Sequence, residues 1–276
     1  MPLAVCATPI GNLEDVTLRV LRELAEADLV LCEDTRHTKG LLDRHGIAAK
    51  LLSYHRHNEA QRTAEVLPRL EGGERIALVS DAGLPGVNDP GARLIAAALE
   101  TGIPVTVLPG PSAVETALVS SGLAGERFQF LGYLPRGEKA LAALWTELAR
   151  WPHPAVAFES PRRLPATLRS LAAALPERPV AVCRELTKRF EEVARGTPAE
   201  LAAQFSDPPK GETTLVVGGR GAEAAQSEPG EALVLPLAAV VELVAAGVPR
   251  RQAADVVARL ARVSRNTLYS ESLKSR

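Results

Sequence analysis

RIALVSDAGLPGVNDPGARLIAAALET, Arg75 to Thr101, is the stretch whose reading decides the fold. Its opening run around Ile76, Leu78 and Val79 predicts a buried strand over Arg75–Ser80, and Ala92–Thr101 repeats apolar residues at helical spacing. Between them, Ser80–Gly91 holds Gly83, Gly86 and Gly91 together with Pro85 and Pro90. Glycine admits left-handed backbone and close approach to a ligand, while proline stiffens the turns. Long ordered loops are usually functional; the plainer reading, a tight turn whose acid caps a helix, stays open. Asp81 stands directly after the strand, where a carboxylate accepts hydrogen bonds from a ribose diol or balances a cationic ligand.

Outward from this unit the same alternation repeats. Strands are expected at Leu3–Ala7, Leu29–Cys32, Leu51–Tyr54 and Val105–Leu108. Helices are expected with Leu18, Leu21 and Leu24 on one face (capped by Asp15 or Thr17), at Thr38–His45, and at Glu59–Leu70. Strands alternating with helices imply an α/β fold with a mostly parallel sheet covered on both faces. After Pro109-Gly110-Pro111 comes a helix at Ser112–Ser120. Strands follow at Phe128–Tyr133, Ala155–Phe158, Val180–Arg184, Glu192–Gly196 and Thr213–Val217, spaced as in a mixed sheet. The expected organisation is an N-terminal α/β domain, 1–110, and a second α/β domain, 111–220. A polar linker, 221–232, and a helical basic tail, 233–276, complete it.

Composition removes several classes. Apolar residues make up 46% of 276 residues and charged ones 24%, which supports sizeable cores rather than disorder. The net charge of −1 gives no global pull on nucleic acid, so any such binding needs a local patch. Cys6, Cys32 and Cys183 lie singly in apolar runs without CxxC spacing, and HRH at 55–57 lacks ligand spacing; no metal is expected. The N-terminal MPLAVCATPI turns polar at Gly11, and no apolar run reaches the roughly 20 residues of a membrane helix. A cytoplasmic location without membrane contact is expected. No GxGxxG follows the first strand, and GxxxxGK[ST], HExxH and GxSxG are absent. A nucleotide-like ligand held without a phosphate loop points to an adenosyl compound lacking phosphates.

The blocks ATPIGNLED, LCEDTRHT, SDAGLPGVNDPG, VLPGPSA, FLGYLP, FESPRR and GETTLVVGG stand in this order from Leu3 to Gly219. In this they resemble the ribosomal RNA small subunit methyltransferase I family, whose members have the tetrapyrrole-methylase fold. The resemblance implies S-adenosyl-L-methionine as methyl donor, folded in the cleft between two α/β domains, with a small helical appendage behind them. It implies 2′-O-methylation of a cytidine in the decoding region of 16S rRNA, with 16S rRNA or the small ribosomal subunit as partner, and a homodimer. By block, it sets Pro9, Asp81, Ala82, Gly83, Leu84, Pro85 and Val87 on the methionine and ribose side of the donor. Ser112 and Ala113 approach the same ligand, and Leu131, Phe158 and Gly211–Leu215, including Thr213 and Leu215, surround the adenine.

Methylating a hydroxyl requires alignment and removal of one proton. Candidate polar groups at strand ends are Glu33, Asp34, Asn88 and Asp89, with Arg36 on phosphate and Glu159 as a further acid. Glu33-Asp34 reads equally as acids at a helix N-terminus, and Asp89 before Pro90 as a helix cap. Arg162 and Arg163, with Arg136, Arg184, Lys188 and Arg189, read as RNA-backbone contacts or as solvated surface.

In Gly247–Arg276, seven cations, Arg250, Arg251 and Arg265 among them, face only Asp255 and Glu271. Helices are expected at Leu237–Ala246, Arg251–Leu260 and Asn266–Leu273, the last capped by Ser264. This reads as a helix-turn-helix-like RNA-binding module, with Val240, Val244, Ala254, Val257 and Leu260 as its core, or as a plain docking helix. Two other functions remain: a precorrin-type tetrapyrrole methylase of the same fold, and a non-catalytic donor-binding RNA module.

Overall fold

A computed structural model of the chain describes residues 2–220, 229–261 and 265–274. The chain forms two compact units, Met1–Gly219 and Arg220–Arg276.

The first unit holds two five-stranded sheets. In the first, β1 (Leu3–Cys6), β2 (Leu29–Cys32), β3 (Leu51–Ser53), β4 (Ile76–Val79) and β5 (Val105–Leu108) are all parallel, in the order β3-β2-β4-β1-β5. Because side chains alternate along a strand, Leu3, Val5, Leu29, Leu31, Ile76 and Leu78 point to one face. There they meet Val66 and Leu70 of α3 (Glu59–Glu71) and Leu94 and Ala98 of α4 (Ala92–Glu100). The other register, including Ala4, Cys6, Val30, Cys32 and Val79, packs under α1 (Leu18–Glu26) and α2 (Thr35–Arg44). Thr17 caps α1, its hydroxyl accepting from Val20 N at 3.2 Å.

The second sheet comprises β6 (Gln129–Tyr133), β7 (Ala155–Glu159), β8 (Val180–Arg184), β9 (Glu192–Gly196) and β10 (Thr213–Val217), ordered β6-β7-β10-β8-β9. It is mixed, with β10 antiparallel to both neighbours. Three further helices fall between the expected strands: α6 (Glu138–Arg150), α7 (Leu164–Ala174) and α8 (Pro198–Gln204). Trp145, Leu168 and Leu201 from them cover one face, over Ala157, Val182 and Leu215. The opposite face, with Val156, Ala181 and Val216, lies under α5 (Ala113–Ser121). Ile10, from the loop after β1, is buried in this same cluster and so joins the two sheets through one core.

The second unit contains α9 (Pro229–Ala245), α10 (Arg250–Ala261) and α11 (Arg265–Lys274) around Val240, Ala253, Ala254, Val257 and Leu268. α9 begins within the stretch expected as linker, at a proline, which suits the first helical turn; residues 221–228 lie outside the described residues. Leu260, expected in this core, is 81% exposed, because the buried stripe of α10 runs through 253–254 and 257–258. Gly247, at φ +90°, turns the chain between α9 and α10. The expected cap Ser264 lies outside the described residues.

Candidate functional site

All five strands of the first sheet end at one edge, so the loops after them share it. From β1 the chain crosses over β4 to reach β2; from β4 it crosses over β1 to reach β5. The crossovers leave on opposite faces, which opens a crevice between the ends of β1 and β4, where ligands of open α/β sheets sit. One extra rung binds the two loops there: Thr8 N donates to Gly83 O at 2.8 Å and Gly83 N to Thr8 O at 3.0 Å. Thr8 Oγ1 adds a bond to Ser80 O at 3.0 Å. Gly83 lies at φ +77° and Gly91 at φ +138°, conformations that a side chain disfavours, and a Cβ on Gly91 would stand 3.0 Å from Leu78 Cδ2.

This geometry brings Glu33, Asp81 and Asp89 together. None of the three has an ion-pair partner among the described residues, although Arg56 lies close enough to favour charge on Glu33 and Asp89, and His55 on Glu33. Burial first, then the charges of Glu33 and Asp81, pushes the Asp89 carboxyl up to about 6 despite Arg56. Burial and Asp81 likewise raise Glu33. Asp81 also holds the next loop in place, its Oδ1 accepting from Asp34 N at 3.1 Å. Asp89 does not cap α4, which starts at Ala92 after Gly91.

Glu33 and its neighbour Asp34 therefore separate. Asp34 caps α2, accepting from Arg36 N at 2.8 Å, and takes both arms of the Arg36 guanidinium at 3.1 and 2.7 Å. These bonds hold its carboxyl well below the usual carboxylate range. Asp34 is the helix cap of the two readings, and Arg36 is spent largely on it.

Arg56 and Tyr133 are not singled out by the sequence, and His55 enters there only within HRH at 55–57. The guanidinium of Arg56 donates to Asn88 O. His55 Nδ1 and Asn88 Nδ2 are both buried without a hydrogen-bond partner. The signal available was position: His55 and Arg56 follow β3, another strand that ends at this edge. From the second sheet, Gly132 closes on Asn88 so tightly that a Cβ would lie 3.0 Å from its Oδ1. Beside it, Tyr133 is raised by partial loss of water around its hydroxyl and by nearby Glu212 and Asp89, although most of the side chain is exposed.

The two sheets meet again lower down. Asn12 N donates to Thr187 Oγ1 at 3.0 Å, and Gly11 has no room for a side chain beside Leu186 O, 2.8 Å from where its Cβ would stand. A small pocket here is lined by Ile10, Ala113, Cys183, Leu186, Glu212 and Thr214. Alternation along β10 decides this lining: Thr213 and Leu215, expected at the adenine, point to the α6–α7 face, Leu215 fully buried and Thr213 bonded to Glu159 O. Leu131 packs on that face as well, while Phe158 lies on the α5 face. Ala113 reaches the pocket from the start of α5, whose N-cap Ser112 donates to Glu115. Pro9 and Asp81 line a separate hollow with His37 and Leu41. Leu84 packs on the first core and Pro85 is buried, whereas Ala82 and Val87 are exposed.

Several expected cations have structural partners. Arg163 donates to Leu134 O at 3.1 Å and Pro135 O at 2.5 Å and lies 3.3 Å from the fully buried carboxylate of Glu159. Glu159 is further satisfied by Thr167 Oγ1 and Ser160 N, both at 2.6 Å, which makes it a buried strut. Arg250 donates to Ser272 O and Arg265 to Asp255 at 3.4 Å, both within the helical unit. Arg162 and Arg251 are exposed. Among the described residues no cluster of His, Cys, Asp or Glu is arranged to hold a metal, and no helix is long and apolar enough to cross a membrane.

Comparison with known proteins agrees with this geometry. Residues 2–202 match the family of tetrapyrrole (corrin/porphyrin) methylases. The ribosomal RNA small subunit methyltransferase I of Mesorhizobium japonicum is 43% identical over 275 residues, 99% of this chain and 91% of its own length. The protein of the same name from Thermotoga maritima is 43% identical over 219 residues, 79% of this chain but 98% of its own length. What it leaves unmatched equals the C-terminal unit in length. The crystal structure of a uroporphyrin-III-C-methyltransferase from Thermus thermophilus superposes with a TM-score of 0.56 at 24% identity, covering 78% of this chain and 93% of that one.

Proposed function

We propose that this chain, which belongs to the tetrapyrrole methylase family and within it to the ribosomal RNA small subunit methyltransferase I group, methylates ribosomal RNA from S-adenosyl-L-methionine. The finer reading is the ribose 2′-hydroxyl of a cytidine in the decoding region of 16S rRNA. The enzyme acts in the cytoplasm as a homodimer, on 16S rRNA or the assembled small subunit. The relatives' shared name supports the RNA substrate, and nearly the whole chain aligns with them.

The observation that carries the mechanism is the gathering of Glu33, Asp81 and Asp89 at the β1–β4 crevice without ion-pair partners. A hydroxylated, cationic ligand fits such carboxylates, and the orphaned polar atoms of His55 and Asn88 give further bonding capacity. When bound, S-adenosylmethionine supplies an electrophilic methyl group on a sulfonium that departs as a neutral thioether. Asp81 would hold the ribose diol, and the bridged Thr8–Gly83 backbone would fix the start of the glycine loop beside the donor. Pro9 lines a hollow beside Asp81, and Ala113, Thr214 and Glu212 line a second, separate one; these residues would border the rest of the donor. Asp89 accepts the proton of the incoming hydroxyl at its carboxylate oxygen, with Glu33 maintaining its raised affinity for protons. Arg56 steadies Asn88 and so the backbone that carries Asp89.

Labelled donor incubated with unmodified small ribosomal subunits tests the reading, with nuclease mapping of the product. Label on one ribose of the small-subunit RNA is expected. Label entering only a precorrin offered in parallel would overturn it.

A further inference from the structure

The second sheet presents an end of its own. β7 and β8 run the same way, and Thr213 of β10 stands opposite both Glu159 and Arg184. Tyr133, Glu159, Arg184 and the Gly211–Thr213 turn therefore close one edge, joined by the loop from Glu185 to Glu191. That loop is tightly built. Glu185 and Thr187 sit at φ +51° and +65°, conformations costly for residues with side chains, and dense bonding holds them there. Lys188 Nζ bonds Glu185 at 2.9 Å and Glu212 at 2.7 Å, and Thr187 N donates to Glu191 at 2.6 Å.

At the tip of this rigid loop, Phe190 is 68% exposed, with the Arg189 guanidinium 5.6 Å from its ring centroid. A large aromatic held mostly in water on a loop so firmly fixed adds little to its own protein's core. The surrounding charge is uneven. Most carboxylates of the edge are engaged by cations: Glu159 with Arg163, Glu192 with Arg184, Glu185 and Glu212 with Lys188; among the described residues Glu191 accepts only from Thr187 N. Arg136, Arg162, Arg189 and Lys210 are exposed and have no carboxylate partner among the described residues. Tyr133, 65% exposed, adds a second ring on the same edge, on the side nearest Asn88 and Asp89.

We infer that this edge binds the substrate as single-stranded RNA, with Phe190 and its stacked Arg189 receiving an unpaired base while Arg136, Arg162 and Lys210 take phosphates. Stacking on an aromatic face flanked by cations is the chemistry of unpaired bases; a duplex offers no free base face. The inference rests on the RNA-methylating reading above and adds to it which surface takes the strand and in what form.

The test uses the full chain and methyl transfer to unmodified small ribosomal subunits, with donor affinity measured separately by calorimetry. Phe190 is exposed, so its substitution leaves the cores untouched. Phe190→Ala should raise the KM for subunits about tenfold with donor affinity at the wild-type value, and Phe190→Trp should restore it. In a fluorescence assay, a ten-nucleotide single-stranded RNA should bind wild type more tightly than the same sequence in duplex, and Phe190→Ala should erase the difference. A wild-type KM in Phe190→Ala, rescue by Phe190→Leu as good as by Trp, or a preference for duplex overturns the platform and leaves the enzyme's function standing. Failure of wild type to label any ribosomal RNA would instead bring down the functional reading, and the platform with it.

Discussion

The two sheets of the first unit end in edges of opposite electrostatic character. At the β1–β4 crevice, three carboxylates crowd together without ion-pair partners, and one is pushed up to about 6. At the end of the second sheet all the acids but Glu191 are paired with cations, and four exposed cations are left over among the described residues. Both edges follow the same construction, strands ending in polar loops, yet one stores unmet demand for positive charge and protons while the other stores unmet demand for anions. A cationic donor and a hydroxyl proton belong to the first; a phosphate chain belongs to the second. The contrast teaches that residue type alone does not assign a role. Glu33 and Glu159 both close strands, but only Glu33 lies in the crowded cluster.

Substitutions that erase this asymmetry should have effects graded by which edge they disturb. The largest is expected from Asp81→Ala, which removes the central carboxylate: donor binding should vanish in calorimetry, and unchanged affinity would remove Asp81 from the donor site. Next, Asp89→Asn should slow methyl transfer by about a hundred- to ten-thousandfold while donor binding persists. The pH profile sharpens this. An acid with a raised pKa is protonated below it, so the wild-type rate should climb as pH rises through about 6 and level off above, and Asp89→Asn should lose that rise. A smaller effect separates neighbours on the second edge. Arg163→Ala strips the buried Glu159 of its cation and should cost about 3 kcal/mol in denaturant unfolding. Arg162→Ala should leave stability alone and weaken RNA binding most at low salt. Smallest is Asp34→Ala, which loses a helix cap worth about 1 kcal/mol. If transfer collapsed as in Asp89→Asn, Asp34 would have to be returned to the chemistry.

Much of the fold is legible from periodicity. The first sheet's strands follow short apolar runs, and the sheet proves to have one face under α1 and α2 and the other under α3 and α4, with Val107 of the edge strand β5 left half exposed. The register of β10 is harder: in TTLVV every side chain is buried, so no polar alternation distinguishes the face of Leu215 from that of Thr214. Its neighbours decide, since Val156 and Ala181 point toward α5 and Ala157 and Val182 away from it. The donor loop is legible as a ligand-binding turn because its glycines carry a physical requirement. The partnership of Asp34 with Arg36 is not, because an N-cap and an active acid use the same residue types. Arg56 and Tyr133 escape altogether. One lies in the loop after β3 and the other at the end of β6 in the other sheet, and the closure of Gly132 on Asn88 brings their neighbourhoods together. In the tail, Leu260 fits an apolar helical count, yet the stripe that meets α9 and α11 lies a fraction of a turn away.

The paired bonds between Thr8 and Gly83 amount to a continuation of the sheet beyond its last regular residues. A turn rich in glycine would ordinarily exchange its amide hydrogens with solvent in moments, but these two amides are bonded to each other's carbonyls and are expected to exchange more slowly. The donor cradle thus inherits the persistence of the core beneath it. Its glycines supply shape without supplying motion, and the entropy of ordering the loop is met at folding rather than at each encounter with the donor.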